Sequence, residues 1–282
     1  MSPAWSPKTL AEAREALAQR ATKVAGATDL LVIDHATGRV HESVLNVLGI
    51  GELQGIRVEG DQLSIGAAST FTQIRQSKSV MKHAPLLAAA AATIGAAQIQ
   101  NRATLGGNIA NASPAGDSLP ALLALGAMIA ISGPHERRIV PYNAFHTGYR
   151  TTVLGPNELI ERVFIPLPSP AVQIFRKVGT RAAQAISKVV VGFASDRLEH
   201  NLLANVRLAM GSIAALPVRL HDVEALIEDN PLTAQLADRA ATLVAKTISP
   251  IDDVRSTAEY RRHVAAQVVR RLLLDLVATP SA

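Results

Sequence analysis

Three prolines at alternate positions, in IPLPSPAV, constrain this chain more than any other feature. Pro166, Pro168 and Pro170 each fix φ and remove an N–H, so neither a helix nor a central strand can run through them. The chain therefore divides, with a boundary near 168–172. Its 282 residues are 48% hydrophobic, enough for a sizeable core. Charged residues make up 18% with no long block of like sign, which excludes global disorder.

Upstream, helices and strands alternate. Thr9-Leu10-Ala11-Glu12 has capping-box spacing, and Leu10, Ala13 and Leu17 share a helical face. A strand over 22–25 leads into a turn and an apolar segment. Residues 56–58 and 63–66, around Gly60-Asp61, predict a β-hairpin. Pro85 opens an Ala-rich helix running to about Ala97. Residues 119–125 predict a short helix or turn, 127–131 a buried strand, and 158–166 an alternating strand stopped by the prolines.

Downstream, 173–178, 186–193 and 205–212 predict three strands with hairpin connections, hence an antiparallel sheet. From Asp222 the pattern is helical. Ser256-Thr257-Ala258-Glu259 reads as a second capping box, with Val264, Val268, Leu272 and Leu276 as a stripe. Arg261, Arg262, Arg270 and Arg271 lie off that stripe. Strands followed by helices make this part α+β.

Composition removes several functions. Net charge is +5, but the basic pairs are scattered and only 3% of residues are aromatic, which argues against a nucleic-acid groove. Without cysteine, disulfides, Cys-ligated zinc and iron–sulfur clusters held by this chain are excluded. The N-terminus has no apolar stretch of signal-peptide length. The longest uncharged run, 85–101, is too short and too weakly apolar to span a bilayer. The expected location is the cytoplasm. The eight histidines show no H-E-x-x-H spacing, and no G-x-S-x-G occurs. No catalytic residue and no metal ligand is expected in this chain.

Two small-residue turns carry the chemistry. In VAGATDL, a short strand enters a turn and then an apolar helix start. In ATLGGNIANASPAGD, Gly106-Gly107 let the chain take φ > 0 and bring backbone amides close to a ligand. Thr104 and Asn108 add donors. Asp117 either accepts from ribose hydroxyls or caps the helix after it. Two such turns can grip a pyrophosphate from two sides, which points to a dinucleotide. The G-x-G-x-x-G and P-loop patterns are both absent. A chain with cofactor-type turns and no catalytic cluster suits redox work, where the cofactor does the chemistry. An α+β binding module of another kind stays open at this point.

Four segments stand together: AGATDLL (25–31), QIQNRATLGGNIANASPAGDSLPALLALGA (98–127), FRKVGTRAAQAISKV (175–189) and DVRSTAEYRR (253–262). In order and spacing they resemble the FAD-binding, or medium, subunits of molybdenum hydroxylases of the xanthine dehydrogenase and carbon monoxide dehydrogenase type. The resemblance implies an α+β chain with an FAD-binding fold of the vanillyl-alcohol-oxidase (PCMH) type. Two small α/β subdomains, 1–54 and 55–170, would clasp the cofactor. A C-terminal domain over 171–282 would hold a three-stranded antiparallel sheet and a helical bundle.

By the same resemblance, the backbones of Val24, Ala25, Gly26, Ala27, Thr28, Asp29 and Leu30, and of Thr104, Leu105, Gly106, Gly107 and Asn108, hold the pyrophosphate. Asp117 binds on the adenosine side, at its ribose. Lys188 aligns with a lysine that approaches the flavin. Ile94, Leu159 and Ile160 are weaker wall candidates, and the ring is flanked by one of Tyr142, Phe145, Tyr149 and Tyr260. The implied function is electron transfer within a molybdenum hydroxylase. A large subunit carries the molybdenum cofactor, and a small subunit carries two [2Fe–2S] clusters. Electrons pass through FAD here to an external acceptor (NAD+, a quinone or dioxygen), in a dimer of heterotrimers. The alternatives are a standalone flavin oxidoreductase of the same fold and an assembly subunit that has lost FAD. Two departures bear on the last. Ala27 replaces a second glycine, and Gln100 stands where arginine is usual, with Arg102 two residues later. Alanine is harmless at 27 if φ is negative there and strained by roughly 1 kcal/mol or more if φ is positive.

Overall fold

The computed structural model describes residues 3–228 and 230–279. Three larger sheets follow one another along the chain, beside one two-stranded hairpin. The first is small and parallel: β1 (Ala4–Trp5) and β2 (Thr22–Val24) flank β3 (Val44–Asn46). The connections are helices α1 (Leu10–Ala18) and α2 (Leu30–Thr37), as parallel pairing requires. Thr9 caps α1, its hydroxyl accepting from the Glu12 N–H. The Glu12 carboxylate reaches back one residue further than expected, to the Lys8 N–H at 2.7 Å.

The second sheet is antiparallel. The hairpin β4 (Ile56–Glu59) and β5 (Gln62–Gly66) precedes six short helices: α3 (Phe71–Gln76), α4 (Lys78–His83), α5 (Pro85–Thr93), α6 (Ala97–Gln100), α7 (Leu105–Asn111) and α8 (Ser118–Ala124). Then come β6 (Met128–Ser132), β7 (Arg137–Pro141), the small hairpin β8 (His146–Gly148) and β9 (Thr151–Thr152), and β10 (Leu159–Pro166). The order is β4-β5-β10-β6-β7, with β10 at the centre. Its first seven residues are therefore buried on both faces, not alternately as its sequence predicts. The Ala-rich helix stops at Thr93 rather than near Ala97, because Gly95 turns the chain at φ +55°.

The third sheet contains the three expected strands, β11 (Val172–Val178), β12 (Val189–Arg197) and β13 (Leu203–Gly211), and a two-residue edge strand, β14 (Val218–Arg219). Helices α9 (His221–Glu228), α10 (Ala234–Thr247) and α11 (Ala258–Ala278) cover one face. Val189, Val191 and Phe193 point into their core, while Val190 and Ala194 join the core of the second sheet. The proline stretch thus separates two segments of chain but not two cores. Helix α8 lies between them. A Cβ on Gly192 would stand 2.8 Å from the Pro120 carbonyl oxygen, so β12 approaches that helix as closely as a glycine allows. Helix α11 starts one residue later than expected: Thr257, not Ser256, caps it by accepting from the Tyr260 N–H. Among the described residues no helix is long and apolar enough to cross a membrane, and no group of His, Asp and Glu is placed to hold a metal ion.

Candidate functional site

Strand β2 runs directly into the first turn. Val24 still belongs to the sheet, where its carbonyl accepts from the Val47 N–H at 3.0 Å. Ala27 stands at φ +60°, in the left-handed region that costs an alanine about 1–2 kcal/mol. Asp29 occupies the N-cap position of α2 without a side-chain cap bond. The Leu31 N–H then donates to the Ala27 carbonyl at 3.1 Å. Among the described residues, the N–H groups of Gly26, Ala27, Thr28, Asp29 and Leu30 meet no acceptor. Consecutive free donors at a helix start make an anion nest.

The second turn is built differently. Thr104 caps α7, its hydroxyl accepting from the Gly107 N–H at 3.1 Å. The Leu105 N–H donates to Ser69 O at 3.0 Å, Gly106 N–H to Ala67 O at 2.8 Å, and Asn108 N–H to Thr104 O at 3.0 Å. These amides are used inside the protein. Neither glycine has a positive φ, contrary to the sequence reading, because both lie within α7. They provide space instead. A Cβ on Gly106 would stand 2.6 Å from the Ala67 Cβ, whereas Gly107 has only the Thr104 hydroxyl nearby, at 2.9 Å. Leu105 is fully buried in the core and lines neither of the two cavities beside this turn. Asn108 accepts from the Ser118 hydroxyl at 2.7 Å, which leaves its amide N–H groups for a ligand. The two turns meet backbone to backbone: a Cβ on Gly26 would lie 1.9 Å from the Arg102 carbonyl oxygen.

A cavity opens on each side of this junction, one of about 400 Å³ and one of about 610 Å³. Thr28, Asp29, Ala103, Asn108 and Asn111 line both. The smaller lies between the first and second sheets, with Leu159 and Ile160 in its wall. Lys23 also lines it. Burial lowers this ammonium's pKa, against the opposing charge of Glu158, and its Nζ donates to the Pro156 carbonyl. The larger cavity reaches the third sheet and is walled by Ile94, Asp117, Ile186 and Ser187.

Asp117 is 5% exposed and does not bond the helix it precedes. Its carboxylate accepts from Lys177 Nζ at 2.6 Å, from the Thr93 hydroxyl at 3.1 Å and from the Ser187 hydroxyl. Burial pushes its pKa up, and the Lys177 ammonium opposes that. Lys188 lies outside both cavity walls; its ammonium sits over the Tyr260 ring, 4.8 Å from the centroid. Of the four candidate aromatics only Tyr149 lines a cavity, while Tyr142 and Phe145 are core residues. Gln100 is buried and donates to the Ala92 carbonyl at 3.2 Å. That substitution serves packing rather than the site. The sequence reading missed Lys23, Arg150 and Arg261. Arg150 reaches Asn111 at 3.3 Å on the rim of the larger cavity. Arg261, 5% exposed, is not on the solvent face of its helix. It donates to the Ser212 carbonyl at 2.7 Å and faces Asp253. An arginine one turn into a capped helix gave no signal of that burial.

An anion nest between two cavities fits a dinucleotide: a pyrophosphate at the junction and a ring system on either side. Comparison with known proteins agrees. Residues 1–168 match the family described as the FAD binding domain in molybdopterin dehydrogenase, and residues 174–276 the carbon monoxide dehydrogenase flavoprotein C-terminal domain. The xanthine dehydrogenase FAD-binding subunit of Escherichia coli O157:H7 is 32% identical over 96% of this chain and 94% of its own length. The carbon monoxide dehydrogenase medium chain of Hydrogenophaga pseudoflava is 29% identical over 95% and 94%. A solved carbon monoxide dehydrogenase from Hydrogenophaga pseudoflava superposes with a TM-score of 0.92 at 28% identity, covering 98% of this chain and 97% of that one. Quinoline 2-oxidoreductase from Pseudomonas putida 86, at 22% identity and a TM-score of 0.92 over 99% of this chain and 97% of that one, shares the fold. Nest, cavities and both matched halves lead to one conclusion: the chain belongs to the FAD-binding subunits of the molybdenum hydroxylases.

Proposed function

We propose that this chain is the electron-transfer flavoprotein of a cytoplasmic molybdenum hydroxylase. Its partners are a large molybdenum-cofactor subunit and a small subunit with two [2Fe–2S] clusters, in a dimer of heterotrimers. The observation that carries the reading is the run of five unbonded amides set between two cavities. The absence of cysteine supports clusters held by another chain.

Size supports an orientation. Isoalloxazine has three fused rings and adenine two, so the flavin takes the larger cavity and the adenosine the smaller. Asp117 then serves the flavin half rather than the adenosine ribose. When bound, FAD supplies the redox chemistry, joining one-electron clusters to an external acceptor such as NAD+, a quinone or dioxygen. This chain's residues bind and orient. The amides of 26–30 and the N-terminus of α2 stabilise the phosphate charges. The Asn108 amide adds a donor to the same junction. Lys177 opposes the effect of burial on the Asp117 carboxyl, and the Thr93 and Ser187 hydroxyls fix its direction. Ile94 and Ile186 add apolar wall to the larger cavity.

Gly107→Val tests the site. A branched side chain there fills the cavity side of the junction and presses on the Thr104 hydroxyl. FAD retention should be abolished with the third sheet still folded, and the native protein should copurify with a cysteine-rich and a very large subunit. A chain that stays colourless after reconstitution with FAD overturns the reading.

A further inference from the structure

The nest depends on Ala27 holding a left-handed conformation that alanine disfavours, and on α2 staying where its N–H groups converge. Packing does little to hold α2. No residue of this helix is buried, and Leu31 and Val32 are 62% and 65% exposed. The salt bridge from Arg150 to Asp29 spans 3.7 Å between half-exposed groups, which contributes little.

A polar chain crosses behind the nest instead. The His41 Nδ1 lies 3.1 Å from the Thr22 hydroxyl, and its Nε2 lies 2.8 Å from Asp34 Oδ2. Thr22 is on β2, ahead of the turn, and Asp34 is on α2, behind it. The imidazole and the carboxylate are each 12% exposed. One neutral tautomer satisfies both bonds: Nε2–H donates to the carboxylate, and Nδ1 accepts from the threonine hydroxyl. The brace thus ties the two flanks of the turn across Ala27, from a residue outside both cavity walls.

We infer that the Thr22–His41–Asp34 brace holds Ala27 in its left-handed conformation before FAD arrives, the task that a glycine at 27 would make unnecessary. His41 is then a positioning residue for the cofactor. The inference rests on the FAD reading of the site. With the brace intact, the apo nest is preformed. Without it, the turn relaxes, and FAD must restore the strained conformation on binding.

The test is a double-mutant cycle on the full chain, stripped of flavin and titrated with FAD by fluorescence quenching. His41→Ala should weaken FAD binding about tenfold, ~1.4 kcal/mol, in the range of one alanine's left-handed strain. Ala27→Gly alone supplies the reference affinity for the second arm of the cycle. In the Ala27→Gly background, His41→Ala should cost no more than about twofold, since glycine needs no brace. Asp34→Asn keeps an acceptor for Nε2–H and should retain affinity within about threefold. Should His41→Ala fail to fold, Thr22→Val removes one end of the brace and carries the same comparison. Equal losses in the two backgrounds would make His41 a general stabiliser and overturn the inference, as would no loss beside Ala27. A wild-type chain that binds no FAD overturns the cofactor reading itself, and the inference with it.

Discussion

Gly26→Ala is the most discriminating single substitution. It adds one carbon, and the added Cβ would stand 1.9 Å from the Arg102 carbonyl oxygen, 2.5 Å from the Arg102 carbonyl carbon and 2.9 Å from the Ala103 Cα. All three are backbone atoms at the foot of the second turn, so no rotamer change relieves the contact. Carbon and oxygen approach no closer than about 3.3 Å without cost, so the turns must part by more than ~1 Å. A nest that opens by that much carries its amides beyond hydrogen-bond distance of a bound anion. Losing two bonds to a charged group, at ~1.5–3 kcal/mol each, predicts at least about a 100-fold loss of FAD affinity. The stability of the apo chain should fall by only ~1–3 kcal/mol, the usual cost of overpacking. Flavin fluorescence titration reads the first quantity and urea unfolding the second. A Gly26→Ala chain that binds FAD as tightly as the wild type would show that the two turns need not touch, and would refute the clasp.

Three further outcomes follow from the packing. Arg162 is buried and donates to Ser64 Oγ at 2.7 Å and to the carbonyls of Glu52, Gln54 and Gly55 at 2.9–3.1 Å. Arg162→Met should cost ~3 kcal/mol or more by urea unfolding, because three carbonyls lose their donor. Lys177→Met strips Asp117 of its counter-charge and should destabilise by about 3–5 kcal/mol, with Asp117→Leu in the same chain recovering most of it. Burial holds the His146 imidazole down at about 4, against 6.5 for a free histidine. The unfolded chain therefore takes up this proton first as pH falls. The contribution is fully present above about 6.5 and is lost toward pH 4, up to ~3 kcal/mol in all. In His146→Phe the melting temperature should lose that slope; a slope unchanged between pH 4 and 6.5 would sink the assignment.

Local rules recovered most of the elements, because caps, hairpin turns and prolines act over a few residues. The hairpin around Gly60, the Thr9 cap and the strands of the third sheet all obey such rules. Where the reading failed, a distant partner decided. The ends of Leu105 and Gly106 N–H bonds lie at Ser69 and Ala67, some forty residues upstream, so nothing local in TLGGN announces that its amides are engaged. Asp117 reads as a ribose acceptor or a helix cap because Lys177 and Ser187 come sixty and seventy residues later. Helical periodicity puts Arg261 off the apolar stripe, yet the loop bearing Asp253 and the end of β13 close over it.

The two turns therefore divide the work in a way that inverts their appearance. TLGGN is richer in glycine, but its glycines serve close packing and open space, and its amides fasten the turn to the second sheet. VAGATDL has one glycine and supplies the free donors. Glycine content measures how closely backbones can approach and which φ values are easy. Anion affinity depends on a different quantity, the number of N–H groups that folding leaves without an acceptor and aims at one point. Gly26 cannot be replaced, because its missing Cβ is where the Arg102 carbonyl lies. Position 27 has no such constraint of space, only of φ, and a conformational cost of that kind can be met by any structure that holds the flanking segments in place. That is why an alanine stands where a glycine is usual: the turn needs a left-handed residue, and the brace behind it supplies the restraint from outside.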